Sequence, residues 1–473
     1  MRIPRILLTA PASGSGKTLI TCGILQALVN RGLRVASFKC GPDYIDPMFH
    51  GRVIGTKSRN LDTFFTDTDT TRYLFVKNMS DCELAVVEGV MGYYDGLGGV
   101  QVTGSTYDVA RTLSIPAVLI VNAKGASLSI LATIKGFLEY QKNSQICAVI
   151  LNQVSPMIYQ QLKPLIEQEL SIKVLGYVPK IEELSLESRH LGLVLPGEVE
   201  RLKEKLQKLS KVLEETLSID GFLEIAECYA DFLVKEEDGG SRAATKGLWA
   251  QKIVSMADKG SVRIAVAKDD AFCFTYLDNL ELLEEMGAKL VAFSPLSDKD
   301  LPEGVCGLIL SGGYPELYAK KLSDNLSMRK AVYQAIQKGM PCIAECGGFL
   351  YLHRELEDAD GIFYPMAGVI DAKAYRTEKL GRFGYVTLEA VKDQLLGGKG
   401  TFVRGHEFHY WDSECCGESF CARKPVGKRS WNCVHGDKTL YAGFPHLFFY
   451  SNLKVPCAFL ESCRAYGGRI CSL

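Results

Sequence analysis

Two stretches of this chain carry side chains at spacings that suit chemistry. Pro11-Ala-Ser-Gly-Ser-Gly-Lys-Thr18 lies between an apolar run at 5–9 and an apolar helical pattern. Successive backbone N–H groups ahead of a helix N-terminus make a cradle for phosphate. Ser13, Gly14, Ser15 and Gly16 are placed to form that cradle, Lys17 to neutralise β/γ-phosphate oxygens, and the Thr18 hydroxyl to ligate Mg2+ beside ATP. The usual pattern has Gly five positions before Gly16, where this chain has Pro11. A Gly/Ser turn is the plainer reading, but strand context and an intact Gly16-Lys17-Thr18 favour a nucleotide. The second stretch is Ala344-Glu-Cys-Gly-Gly348, which sets a cysteine at a strand-to-helix corner. A thiol at a helix N-terminus is expected to have a lowered pKa and to act as a nucleophile. Ser311-Gly312-Gly313 ends another strand and, with Gly347, can offer N–H groups to an oxyanion. A base is also required, and His406, His409, His435 and His446 all lie downstream.

Two further strand ends carry charge. Phe38-Lys-Cys-Gly-Pro-Asp-Tyr-Ile-Asp-Pro47 places Lys39 and Asp46 after one strand, and Glu88 follows another. Open α/β sheets bind ligands at the carboxyl ends of their strands. Asp46 and Glu88 are therefore candidate Mg2+ ligands, and Lys39 a candidate to stabilise charge on a transferring phosphoryl group. Each alone is equally a capped turn or a surface charge; together they converge. Arg52, Lys57 and Arg59 follow the same strand end and could meet substrate carboxylates or be solvated surface charge.

These residues need a frame. Continuously apolar runs at 5–9, 33–38, 83–87, 117–121, 147–151 and 174–177 alternate with helical patterns, as in a doubly wound, mostly parallel sheet covered on both faces. A second set of this kind begins at 262–266 and continues through a helix at 278–286 and runs at 289–293, 307–310 and 341–344. The expected organisation is an α/β domain carrying the phosphate cradle at 1–195, a helical and linker segment at 196–260, and a second α/β domain at 261–473. A chain of 473 residues is too long for one core. With 47% hydrophobic residues, 23% charged and a net charge of −1, it reads as globular, with nothing to favour nucleic acid or membrane as partner. No signal-peptide pattern opens it, so a cytoplasmic location and reduced cysteines are expected. Cys415, Cys416, Cys421 and Cys433 lack paired zinc-site spacing.

Cys346-Gly-Gly with a late histidine resembles the glutaminase half of class I glutamine amidotransferases, and the N-terminal half is similar to dethiobiotin-synthetase-like P-loop enzymes. Fused in this order they resemble the cobyrinic and cobyric acid amide synthases, with the cobyrinic branch nearer. The likeness rests on Lys39–Pro47, Ser58-Arg-Asn-Leu-Asp62, Glu88-Gly-Val-Met-Gly92, Arg189-His-Leu-Gly-Leu193, Ala271-Phe-Cys-Phe274, Gly312-Gly-Tyr-Pro-Glu316 and Arg404-Gly-His-Glu-Phe-His-Tyr410. It implies Cys346 as glutaminase nucleophile and His446 as its histidine. Most class I glutaminases carry an acid two residues after that histidine, but here, as in the amide synthases, there is none: the position is Phe448. The likeness also implies substrate and metal handling by Asp43, Tyr44, Ile45, Asp46 and Asp95, and an adenine contact from Asn152. The implied reaction is ATP-dependent amidation of the a and c acetates of a corrinoid, by ammonia that travels internally. The partners implied are small molecules, and a homodimer is left open. The nickel-tetrapyrrole sibling reaction is the alternative. A P-loop switch with a non-catalytic glutaminase-like domain is another, but it leaves Cys346 and His446 without a purpose.

Overall fold

Seven largely buried strands, apolar except for the polar edge strand β3, build the N-terminal sheet: β1 (Arg5–Thr9), β2 (Val35–Cys40), β3 (Lys57–Leu61), β4 (Leu84–Glu88), β5 (Ala117–Asn122), β6 (Ile146–Asn152) and β7 (Lys173–Val178). They are parallel and ordered β3-β2-β4-β1-β5-β6-β7. The intervening helices are α1 (Lys17–Asn30), α2 (Ile45–Phe49), α3 (Thr68–Asn78), α4 (Thr106–Leu113), α5 (Ser129–Glu139) and α6 (Pro156–Leu170). The computed structural model describes residues 2–181, 199–232, 253–257 and 259–470. The motif at 189–193 and the polar stretch at 235–242 lie outside them. No helix among the described residues is long and apolar enough to cross a membrane.

The chain divides into two compact units, 1–239 and 240–473. Two helices in the stretch read as a connection, α7 (Val199–Thr216) and α8 (Ile219–Cys228), belong to the first unit. Leu206, Leu209 and Leu213 of α7 enter the core that α1 shares with β1. Gly23 of α1 allows this: a Cβ there would lie 2.5 Å from Leu213 Cδ1 and 2.8 Å from Leu209 Cγ. Past α8, the Ala230 carbonyl accepts from Ile3 N–H at 2.7 Å and from the buried Arg5 guanidinium at 3.3 Å. This backbone acceptor compensates part of the cost of burying a charge.

In the second unit a parallel core is formed by β8 (Val262–Ala267), β9 (Ala288–Phe293), β10 (Gly307–Leu310) and β11 (Cys342–Glu345). Leu440–Gly443 adds parallel to β11, and His435–Gly436 adds antiparallel beyond it. Two smaller sheets of four and five strands, largely antiparallel, occupy 353–433 and the strand His446–Leu447. They supplement the parallel architecture read from sequence. Their strands alternate buried and part-exposed positions, as Phe383–Ala390 does, so one face stays wet.

Candidate active sites

The first site gathers at the carboxyl ends of β1, β2 and β4. Parallel pairing sets Lys39 directly opposite Glu88 and Glu88 opposite Leu8. Lys39 Nζ donates to Glu88 Oε1 at 2.7 Å and also pairs with Asp46 in the first turn of α2. Thr18 Oγ1 donates to the same Glu88 Oε1 at 2.7 Å. His50, fully buried in a π-helical turn after α2, brings Nε2 to 3.2 Å from Glu88 Oε2. Burial works against each of these charges, and their mutual attraction decides the outcome. It opposes the Lys39 charge, but Glu88, Asp46 and Asp43 outweigh it and raise the ammonium pKa. Burial likewise opposes the Glu88 charge, yet Lys39, with His50, holds that carboxyl well below the usual range. Asp46 goes the other way, pushed up by burial and by Glu88.

Around them the loop before α1 takes the form of a phosphate cradle. Gly14 and Gly16 have φ of +78° and +86°, open to glycine and strained for other residues. Ser13 and Gly14 are exposed, while Ser15 is buried and bonds back to Ala12 O at 2.9 Å. Lys17 Nζ donates to Met91 O at 2.6 Å; burial foremost, then Lys39, lowers its pKa to about 8. Asn152, at the end of β6, donates from Nδ2 to Ser15 O at 2.8 Å and leaves no room for a side chain on Gly16. One contact of this amide is therefore with the loop backbone. Asp43 accepts from Ile45 N–H at 2.8 Å, and Asp95 accepts from Gly92 N–H at 2.9 Å, so each shapes its own turn. Tyr44 is buried at the start of α2. Arg59 is buried and donates to Ser58 O at 2.8 Å, Lys57 reaches Ser80, and Arg52 is exposed.

The donor set fits a hard cation. Thr18, Glu88 and Asp46 offer only oxygens, and Glu88 Oε2 is buried with His50 Nε2 3.2 Å away but outside hydrogen-bond geometry. No cluster of three or more His, Cys, Asp or Glu among the described residues forms a cage by itself. Mg2+ ordinarily keeps several waters and phosphate oxygens as ligands beside one or two carboxylates. Sequence reading missed His50; its buried position beside Glu88 depends on the π-turn, which no local pattern announces.

The second site lies at the end of β11. Cys346 has φ 45° and ψ −99°, the strained corner of a nucleophile elbow, and its N–H donates to Gly443 O at 2.8 Å. Gly348 follows so closely on Leu310 that a Cβ would overlap its carbonyl. A Cβ on Gly347 would meet Gly313 N at 2.9 Å, so these two backbones converge beside the thiol. Gly313 has φ +154° and packs against the Ala271 carbonyl. The expected low thiol pKa does not hold. Burial, then Glu316 and Glu407, push Cys346 well up. The helix it caps, Gly347–Tyr351, is only five residues, too short to offset that desolvation. Glu316, fully buried, is itself raised to about 8 by burial.

The four histidines separate by their partners. His409 stacks on Phe444 with centroids 3.8 Å apart and bonds Trp411 O at 2.6 Å. His435 Nε2 bonds Cys415 O at 2.9 Å. His406 Nδ1 lies 3.1 Å from the Tyr276 hydroxyl; burial, then His446, keeps it neutral. His446 stands opposite His406 in the sheet, with rings stacked at 5.2 Å, and its ring fills the space that a side chain on Gly312 would need. His446 is thus the histidine that meets the Gly312-Gly313 corner. Asn279 holds the following backbone, bonding Leu447 O at 2.8 Å and Phe449 N–H at 2.9 Å.

Comparison with known proteins agrees with both halves. The CobQ/CobB/MinD/ParA nucleotide-binding domain family matches residues 6–194, and the CobB/CobQ-like glutamine amidotransferase domain family matches 263–453. Cobyrinate a,c-diamide synthase of Caldanaerobacter subterraneus subsp. tengcongensis is 39% identical over 458 residues, covering 96% of this chain and 97% of the relative. The protein of that name from Salmonella typhimurium is 40% identical over 464 residues, covering 97% and 98%. The one from Listeria innocua is 39% identical over 458 residues, covering 95% and 97%. The chain belongs to this family, the cobyrinate a,c-diamide synthases, and is a glutamine-hydrolysing carbon–nitrogen ligase.

Proposed function

We propose that the chain amidates the a and c acetate carboxylates of cobyrinic acid, using ATP and glutamine. The observation that carries this reading is the match over nearly the full length to relatives of that activity, with both halves included. A carboxylate is a poor electrophile. In the first unit it attacks the γ-phosphorus of ATP, ADP leaves, and an acyl phosphate forms. Lys17 and Lys39 neutralise charge on the transferring group, while the backbone of 13–18 holds the phosphates. Thr18, Glu88 and Asp46 would hold Mg2+, which would supply further charge neutralisation for the transfer. Asp43, Tyr44, Ile45 and Asp95 border the corrinoid, and Asn152 lies at the adenine end of the nucleotide.

In the second unit the Cys346 thiol attacks the glutamine carboxamide carbon. His446 takes the thiol proton and returns it to the leaving ammonia. A thioester remains, and water hydrolyses it to glutamate. The raised thiol pKa supports proton transfer during attack over a standing thiolate. The Gly313 and Gly347 N–H groups receive the tetrahedral oxyanion. Ammonia then attacks the acyl phosphate carbon, phosphate leaves, and the amide forms.

Mass spectrometry of the product from cobyrinic acid, glutamine, ATP and Mg2+ tests the reading. Two successive replacements of OH by NH2 are expected. No mass change on cobyrinic acid, with turnover on nickel sirohydrochlorin instead, would keep the mechanism and transfer the substrate to the sibling reaction.

A further inference from the structure

A cysteine–histidine pair usually needs a third group to fix the imidazole and support its positive charge. Phe448, two residues after His446, cannot do this. It packs edge-on against Tyr276 with ring centroids 5.2 Å apart. A carboxylate does reach His446, from the other side of the nucleophile. Glu345, the residue before Cys346, accepts the Leu447 N–H on Oε1 at 3.1 Å and holds Oε2 3.7 Å from His446 Nδ1. We propose that Glu345 is the positioning residue of the glutaminase histidine, supplying from β11 the carboxylate that position 448 lacks.

The register makes this placement specific. Glu345 pairs with Gly443, and Cys346 N–H bonds the Gly443 carbonyl, so one dipeptide ties down the segment leading to His446. Asn279 fixes the backbone beyond it on both sides of Phe448. His406 stacks on one face of the imidazole and Gly312 leaves it room on another. Glu345 is the carboxylate paired with its Nδ1 edge, and its side chain is 12% exposed. A separation of 3.7 Å is longer than a hydrogen bond, and such contacts often tighten only when substrate binds. The carboxylate would fix which ring nitrogen holds the proton and stabilise the imidazolium formed when Cys346 attacks.

The inference rests on the glutaminase reading, so Cys346→Ala is the reference. If that variant still hydrolyses glutamine, the parent reading fails whatever Glu345 does. Given that control, Glu345→Gln in the full chain separates charge from packing, because the amide oxygen can still accept the Leu447 N–H. Glutamate release from L-glutamine is expected to fall about 100-fold in kcat, with KM changed less than about twofold. Alkylation of Cys346 by iodoacetamide should slow in parallel. Glu345→Asp keeps the charge and is expected to retain a kcat between wild type and Glu345→Gln, which preserves the test if the Gln variant folds poorly. A Glu345→Gln enzyme with wild-type kcat, a loss confined to KM, or an Asp variant no better than Gln would overturn the proposal.

Discussion

At position 312 the missing side chain matters as much as the imidazole beside it. A single methyl there would overlap Cε1 of His446 and come within 3.3 Å of Nε2, while the Gly312 carbonyl is fixed by Phe274 N–H at 3.0 Å. The ring would have to turn away from the Gly313 corner. Gly312→Ala is therefore expected to lower glutamine-driven amidation at least about 100-fold, because small misplacements of a catalytic group cost that much. Amidation driven by added ammonium chloride should stay within about threefold of wild type, and comparing the two rates on one preparation checks this. A similar loss in both would instead mark a folding defect. Gly312 was legible in the sequence, as were Lys17, Thr18, Lys39, Asp46, Glu88 and Cys346, because each sits in a short motif after an apolar run. Glu345 and Asn279 were not read. Their partners lie 102 and 168 residues away, and only strand register brings them together. The thiol pKa was misjudged for a related reason: burial and the acids Glu316 and Glu407 come from tertiary packing, whereas the helix start is visible locally.

Among the elements, β2 and β4 show how little is needed to build the first site once register is fixed. Direct opposition of Lys39 and Glu88 follows from parallel pairing of two runs that each end in a charge. Those runs were readable because strands covered on both faces are continuously apolar. The polar edge strand β3 escaped that criterion, and so did the alternating strands of the smaller sheets. The helix α7 was readable as a helix but not as core. Its Lys, Glu and Leu pattern suits a connection equally well, and what decides the matter is Gly23, on the facing side of α1. Leu213 is fully buried there. Leu213→Ala removes three buried carbons from a close-packed contact and is expected to destabilise the first unit by about 2–5 kcal/mol. Urea unfolding followed by loss of ATP-dependent activity should show the earlier midpoint, while Leu202→Ala, only partly buried, should shift it less. An unchanged midpoint for Leu213→Ala would mean that α7 adds little to the unit.

Across the whole molecule, the chemistry divides along the same line as the fold. On the proposed reading, phosphoryl transfer uses the charges at the ends of β1, β2 and β4, and glutamine hydrolysis uses the corner after β11, each within its own compact unit. On that reading neither set of side chains can substitute for the other, since one would activate a carboxylate and the other would release ammonia. Two single substitutions should therefore fail in different ways. Lys17→Ala removes an ammonium from the phosphate cradle and is expected to lower amidation at least about 100-fold with either nitrogen source, a loss typical of a charge that acts on a transferring phosphoryl group. Glutamate release by that variant should persist. Cys346→Ala should abolish glutamine-driven amidation and glutamate release, yet amidate with ammonium chloride near the wild-type rate. Measuring both nitrogen sources and glutamate for both variants gives a crossed pattern if the units work as separate catalysts joined by one product. If Lys17→Ala also silences glutamate release while remaining folded, the glutaminase is switched on by events in the first unit, and hydrolysis in the resting enzyme is held back until an acyl phosphate is ready to receive the ammonia.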